Sequence, residues 1–244
     1  MKKIFANPTT SDYTKLTKDE LDSYFNDETN WGNVYLKKEY SLDTIRDYRD
    51  VPGWINDADW LYEQIINECD EDDHLIEIGT FFGQSACRMG ELIKQSGKNI
   101  IFDTIDTYEQ IEPSMRAGYH PPQFRRYKES DVLNKAPMSS VVKTHLSILG
   151  ISEYVNVIIC DSQLAHRLYE DNSLKMVYLD GNHEYDVIKQ DLQNYWNKLK
   201  TGGFLIGDDF GYTDVEHAVL DFMNDNNISL DNFDSYNFSF IIKK

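Results

Sequence analysis

Between residues 74 and 207 the chain repeats one unit: a short apolar run, a turn, then a helix-length stretch with apolar residues every three or four positions. The runs predict strands at 74–78, 100–105, 155–160, 176–179 and 204–207, separated by helices at 84–95, 139–149, 163–169 and 186–199. Short, almost wholly apolar strands alternating with helices call for a parallel sheet covered on both faces. A helix at 57–68 leads into the first strand, and another is expected at 214–224. Two further runs, 228–231 and 237–242, follow one another too closely for a helical crossover and are expected to pair as a hairpin. The predicted fold is therefore α/β: a doubly wound, mostly parallel seven-stranded sheet with helices on both faces and an antiparallel C-terminal hairpin.

At 244 residues the chain suits one α/β core and is short for two enzyme domains. Residues 57–244 read as that domain. Residues 1–56 are polar and aromatic without clear period, apart from short helical patterns at 18–25 and 42–48, and read as an appendage for substrate contact or a homo-oligomer interface. The segment 108–136 is a lid-like insertion in which Arg116, His120, Arg125, Arg126 and Lys128 stand among Tyr119, Phe124 and Tyr127. It suits an anionic or glycosyl ligand, and equally a surface loop whose arginines offset nearby acids. Trp54, after Pro52 and Gly53, reads as a cover for a ligand or a buried anchor.

With 24 Lys and Arg against 42 Asp and Glu, the formal charge is −18. Such a field repels a phosphate backbone, so nucleic acid is not expected as a partner. Cys69, Cys87 and Cys160 have no C-x-x-C spacing, which fits a reducing cytoplasm. No apolar run approaches the ~20 residues of a membrane span, and Met1-Lys-Lys is not followed by an apolar leader. The expectation is a cytoplasmic protein without a membrane partner.

In a doubly wound sheet, ligands collect beyond the carboxyl ends of the strands. Acids stand at every predicted end: Glu77, Asp106, Asp161, Asp180, and Asp208 with Asp209. After Glu77 come Gly79, Thr80, Phe81, Gly83 and Ser85, a turn with two glycines that lets backbone approach a ligand before a helix begins. The spacing is G-x-x-x-G, which lacks the third glycine of the dinucleotide fingerprint and ranks a nicotinamide oxidoreductase low. An acid such as Asp106 can accept both hydroxyls of a ribose, and the turn Asp161-Ser162-Gln163 can read an adenine edge. Helix capping is the competing role for Asp106, Asp161 and Ser162. Asp180, Asp208 and Asp209 would repel one another when bare, and a hard divalent cation such as Mg²⁺ would relieve that. His183, in the turn Asp180-Gly-Asn-His, is placed to take a proton from a substrate hydroxyl, unless its role is structural.

The block Glu77-Ile-Gly-Thr-Phe-Phe-Gly-Gln-Ser, followed by Ile105-Asp106, Asp161-Ser-Gln163, Asp180-Gly-Asn-His183 and Gly207-Asp-Asp209, resembles the class I S-adenosylmethionine-dependent methyltransferases. It is most similar to metal-dependent O-methyltransferases of the catechol and macrolide-sugar types, over residues 57 to the C-terminus. The resemblance implies that Glu77, Gly79, Phe81 and Ser85 surround the methionine part of S-adenosylmethionine, with Thr80 and Gly83 in the same loop. It implies further that Asp106 holds ribose, that Asp161, Ser162 and Gln163 lie beside adenine, and that Asp180 borders the cofactor. Mg²⁺, or a similar divalent cation, would be held by Asp180, Asp208 and Asp209. The catalytic base falls on His183, where the catechol type has lysine. The Asp208-Asp209 pair matches the sugar-modifying type, whereas the catechol type has Asp-Asn. The expected function is Mg²⁺-dependent O-methylation of a sugar or glycosylated small molecule. A phenol or catechol acceptor, or a non-catalytic S-adenosylmethionine-binding protein, are the alternatives.

Overall fold

A computed structural model describes residues 42–53, 55, 58–108, 136–236 and 238–244. Residues 1–41, Trp54 and Asn56 of the appendage and residues 109–135 of the insertion lie outside the described residues.

A seven-stranded sheet forms the middle layer, in the order β3-β2-β1-β4-β5-β7-β6. Its strands are β1 (His74–Ile78), β2 (Ile101–Asp106), β3 (Asn156–Ile159), β4 (Leu174–Leu179), β5 (Leu199–Gly207), β6 (Phe233–Tyr236) and β7 (Ser239–Lys243). The first five are mutually parallel; β7 pairs antiparallel with both β5 and β6. This is the predicted α/β sheet with its antiparallel end. One prediction fails: 228–231 is not a strand, because Ser229 caps a 3-10 turn at Leu230–Asn232 and the pairing strand starts at Phe233. Apolar Ile228 and Leu230 imitate a strand, while a serine hydroxyl accepting a local N–H bends the backbone away from one.

Six helices flank the sheet among the described residues: α1 (Ala58–Glu68), α2 (Gln84–Ser96), α3 (Met138–Ile148), the single turn α4 (Ser162–Ala165), α5 (Tyr185–Trp196) and α6 (Thr213–Asp225). Because side chains alternate across a strand, each strand feeds two cores. Leu75, Phe102, Met176, Tyr178, Phe204 and Ile206 face α1, α2 and α3. Ile76, Ile105, Val177, Leu179 and Leu205 face α5 and α6, where Leu192, Tyr195 and Phe222 are fully buried. Each such side chain contributes about 1.5–3 kcal/mol by leaving water.

Part of the segment read as an appendage belongs to the first of these cores. Ile45, Tyr48 and Val51 are buried there. Arg88 of α2 holds them by pairing with Asp59 and Glu63 of α1 and lying 5.0 Å from the Tyr48 ring, while the Gln84 amide donates to the Val51 carbonyl. No helix among the described residues is long and apolar enough to cross a membrane.

Strand order reverses at β1, which lies between β2 and β4. Their carboxyl ends meet so closely that a Cβ at Gly79 would lie 2.0 Å from the Asp180 carbonyl oxygen. That junction positions the site.

Candidate active site

On the β1 side the cleft is built by hydrogen bonds within the protein. Thr104, paired with Glu77 across the β1–β2 register, donates its hydroxyl to the Glu77 carboxyl at 2.7 Å. The Thr104 hydroxyl is also in short contact with the Thr80 hydroxyl, an exchange in which either can donate. The turn from β1 into α2 hangs on Asp106, whose carboxylate accepts from the N–H groups of Thr80, Phe81 and Tyr108 at 2.8, 3.1 and 2.8 Å. Phe81 and Tyr108 have φ of +50° and +51°, and this shared anchor offsets the strain of that left-handed backbone. Gly83, at φ +88°, precedes α2 and supplies no side-chain cap for the first N–H groups of the helix.

Glu77 is almost completely buried, and its Oε1 has no hydrogen-bond partner. Burial pushes its carboxyl up to about 8, against the pull of Ser85 and Thr104. A buried acid with a spare oxygen calls for a cationic donor, and the ammonium of a methionine moiety has that chemistry. These residues fit S-adenosylmethionine at its amino-acid end.

At the β3 end, the Asp161 carboxylate caps α4 by accepting from the Gln163 N–H at 2.8 Å. Ser162 donates its hydroxyl to Asp191 of α5 at 2.8 Å. The capping role that competes for Asp161 is thus present, while Asp161 remains exposed and Gln163 half-buried. Asp106 also anchors backbone. A carboxylate offers about four lone-pair sites, so three N–H bonds leave room for one ribose hydroxyl more readily than two.

On the far side, β4 and β5 deliver a different arrangement. One ligand atom each from Asp180, His183 and Asp209 lies within 4.8 Å of the others. His183 Nε2 is 3.0 Å from Asp209 Oδ2 and 3.9 Å from Asp180 Oδ1. Asp209 reaches inward from a left-handed backbone, φ +58°, immediately past β5. Asp208 does not join this group; it is buried, with the Ser239 hydroxyl 3.5 Å from its Oδ1.

Charge dominates this half. Burial raises the carboxyls of Asp180 and Asp208, and the neighbouring acids raise Asp208 further. Asp209 is pushed up to about 6 by burial, partly opposed by His183. Burial disfavours charge on His183, but Asp180, Asp209 and Asp208 outweigh it and raise its pKa above 6.5. Two carboxylates, clustered beside an imidazole and partly shielded from water, fit a divalent cation.

The structure joins Glu77, Thr80, Phe81 and Asp106 in one hydrogen-bonded group at the ends of β1 and β2, and Asp180, His183 and Asp209 in another past β4 and β5. Sequence reasoning does not find Thr104, Tyr108 or Asp191. Their signal is weak but present: Thr104 interrupts an apolar strand, and Asp191 falls on the apolar stripe of α5 beside Ile188, Leu192 and Tyr195.

The sequence pattern described as "Methyltransferase domain" matches residues 76–210, more than half of the chain. The chain belongs to this methyltransferase family. The match runs from within β1 to just beyond β5, so it contains both walls of the cleft. Solved structures agree on the fold. The O-methyltransferase NovP superposes with a TM-score of 0.58 at 16% identity, covering 92% of this chain and 97% of that one. A protein from Staphylococcus aureus assigned as a caffeoyl-CoA O-methyltransferase superposes with a TM-score of 0.52 at 17% identity, covering 89% and 99%. A SAM-dependent O-methyltransferase from Thermotoga maritima matches at 12% identity and a TM-score of 0.49, covering 76% of this methyltransferase and 56% of that chain, so this chain spans little more than half its length. Comparison with curated proteins finds no match. The class I fold of S-adenosylmethionine-dependent methyltransferases, anticipated from the order of the motifs, is the fold of this chain.

Proposed function

We propose that this methyltransferase is an O-methyltransferase that uses S-adenosylmethionine and a divalent cation such as Mg²⁺ to methylate a hydroxyl of a sugar or glycosylated small molecule. The observation that carries the reading is the meeting of Asp180, His183 and Asp209 across the cleft from the cofactor loop.

S-adenosylmethionine, when bound, supplies an electrophilic sulfonium methyl. Glu77 and Ser85 would hold its amino-acid end, Asp106 a ribose hydroxyl, and Asp161 and Gln163 the adenine edge. A divalent cation would supply a Lewis acid that lowers the pKa of a coordinated alcohol. Asp180 and Asp209 would hold it, with Asp208 adjoining. An aliphatic hydroxyl is a poor nucleophile, so its proton needs an acceptor as the new O–C bond forms and the C–S bond breaks. His183 is the available base, and Asp180 and Asp209 stabilise the imidazolium it becomes. The walls of the cleft align donor and acceptor, which can provide several kcal/mol of the barrier reduction.

The adjacent acids Asp208 and Asp209 support a sugar acceptor through their similarity to the sugar-modifying type, and an aliphatic hydroxyl makes the demand for a base strongest. The test is calorimetric titration with S-adenosylmethionine, with and without Mg²⁺ and against a chelator control, followed by methyl transfer to panels of glycosides and phenols. Binding with glycoside methylation supports the proposal. Methylation of catechols alone would replace the acceptor class, and tight binding with no methyl acceptor in either panel would leave a non-catalytic binding protein.

A further inference from the structure

Asp191 is a costly residue where it stands. It lies on the buried face of α5, only 4% exposed, and its Oδ1 has no hydrogen-bond partner. Helix packing at such a position is served better by an apolar side chain, because a buried carboxylate with a single donor recovers only part of its lost hydration. What Asp191 does is grip Ser162 by the hydroxyl, Oγ to Oδ2, at 2.8 Å. One turn further along the same helix face, the Tyr195 hydroxyl donates to the Ser162 carbonyl oxygen, also at 2.8 Å. Ser162 is thus held at both its polar ends by α5.

The gripped residue lies between the two that the S-adenosylmethionine reading sets beside adenine. Asp161 is exposed, with one carboxylate oxygen fixed on the Gln163 N–H and the other left over. An ionised carboxylate only accepts hydrogen bonds, so it favours the exocyclic amino group of a 6-aminopurine and repels the oxygen of a 6-oxopurine. Discrimination of that kind depends on holding the carboxylate in place, since a turn free to slide would let water intervene.

We propose that Asp191 and Tyr195 are positioning residues that lock the 161–163 turn through Ser162, and so set the preference of the cleft for adenosine over its 6-oxo counterpart. The proposal rests on the S-adenosylmethionine reading above. It also gives α5 two roles. The helix starts directly after the loop that carries Asp180 and His183, so one rigid element fixes both the adenine turn and the catalytic loop.

The experiment measures dissociation constants of S-adenosylhomocysteine and S-inosylhomocysteine by calorimetry on the full-length protein, for wild type, Asp191→Leu, Asp191→Asn and Ser162→Ala. Wild type is expected to prefer the adenosine compound. Asp191→Leu and Ser162→Ala should each narrow the ratio by about tenfold, the size of one hydrogen bond in a partly buried site. Asp191→Asn, whose amide oxygen still accepts from Ser162, should keep most of the preference. An unchanged ratio in Asp191→Leu and Ser162→Ala, with only the melting temperature lowered, overturns the proposal in favour of plain packing. Should Asp191→Leu not fold, Ser162→Ala decides, since it removes a single half-buried hydroxyl. Wild-type protein that binds both compounds equally sinks the proposal and leaves the cofactor reading standing; wild-type protein that binds neither removes both.

Discussion

The two walls of the cleft are made on opposite principles. On the β1–β2 wall the turn amides of Thr80, Phe81 and Tyr108 share one carboxylate, and Thr80, Thr104 and Glu77 form a continuous hydrogen-bonded line. On the β4–β5 wall Asp180 and Asp209 crowd around His183, with Asp208 buried beside them, and burial raises all three carboxyls. The first wall is finished by folding except at Glu77 Oε1, which keeps no partner; the second is left electrostatically unsatisfied. A preorganised surface binds a ligand without reorganising, whereas a cluster of repelling acids stores unfavourable energy that a cation releases. Substitutions should therefore act in opposite ways on the two walls.

The largest effect is expected at Asp180. Asp180→Ala should lower turnover by about 10³-fold or more, the scale of losing an electrostatic contribution to the transition state. It should leave the unliganded protein as stable as before or more so, because a repelling acid is gone. Paired measurements of turnover and urea unfolding check this. Retained activity that no longer responds to chelation would remove the cation from the reading.

His183→Ala should lower turnover by ~10²-fold or more, with dissociation constants for S-adenosylmethionine unchanged. A loss confined to acceptor KM would make His183 a binding residue. On the opposite wall, Asp106→Asn keeps one acceptor oxygen but cannot serve three N–H donors and a ribose. It should weaken S-adenosylmethionine by roughly tenfold and also destabilise the fold by ~1–3 kcal/mol. Loss of stability together with affinity is the signature of a finished wall, in contrast to Asp180→Ala.

Much of this division can be read in the sequence, and its limits are instructive. β1 begins and ends where its apolar run predicts, and both glycines of the following turn have the left-handed φ their spacing implies. Acids at strand ends are visible because topology fixes where those ends go. What is not visible is which acid does which work. Asp161 and Asp106 hold backbone as well as facing the cleft, and Asp208 turns toward Ser239 although its neighbour Asp209 faces the cation cluster. Such choices depend on tertiary contacts up to tens of residues away, as Ser162 with Asp191 shows. A local pattern does not contain them.

The last predicted effect is a slope, gradual in pH where the others are single steps. Folded Glu77 retains its proton up to about pH 8, whereas in the unfolded chain it releases it near 4.5. Between these values the folded state holds more protons, so raising the pH favours unfolding. The contribution is complete below about pH 4.5 and is lost as pH climbs to about 8, by a few kcal/mol at most. Asp209, raised to about 6, adds to the same trend over the lower part of that window. Urea unfolding at about pH 5 and about pH 8 should therefore show the unliganded protein less stable at the higher pH. Glu77→Gln should flatten the slope, because the amide needs no proton, and S-adenosylmethionine should flatten it in the wild type by giving the ionised carboxylate a cationic partner. A divalent cation should relieve only the share that belongs to Asp209 and its neighbours. If Glu77→Gln leaves the slope intact while the cation abolishes it, the whole pH dependence resides on the unfinished wall, and the finished one is insensitive to protons.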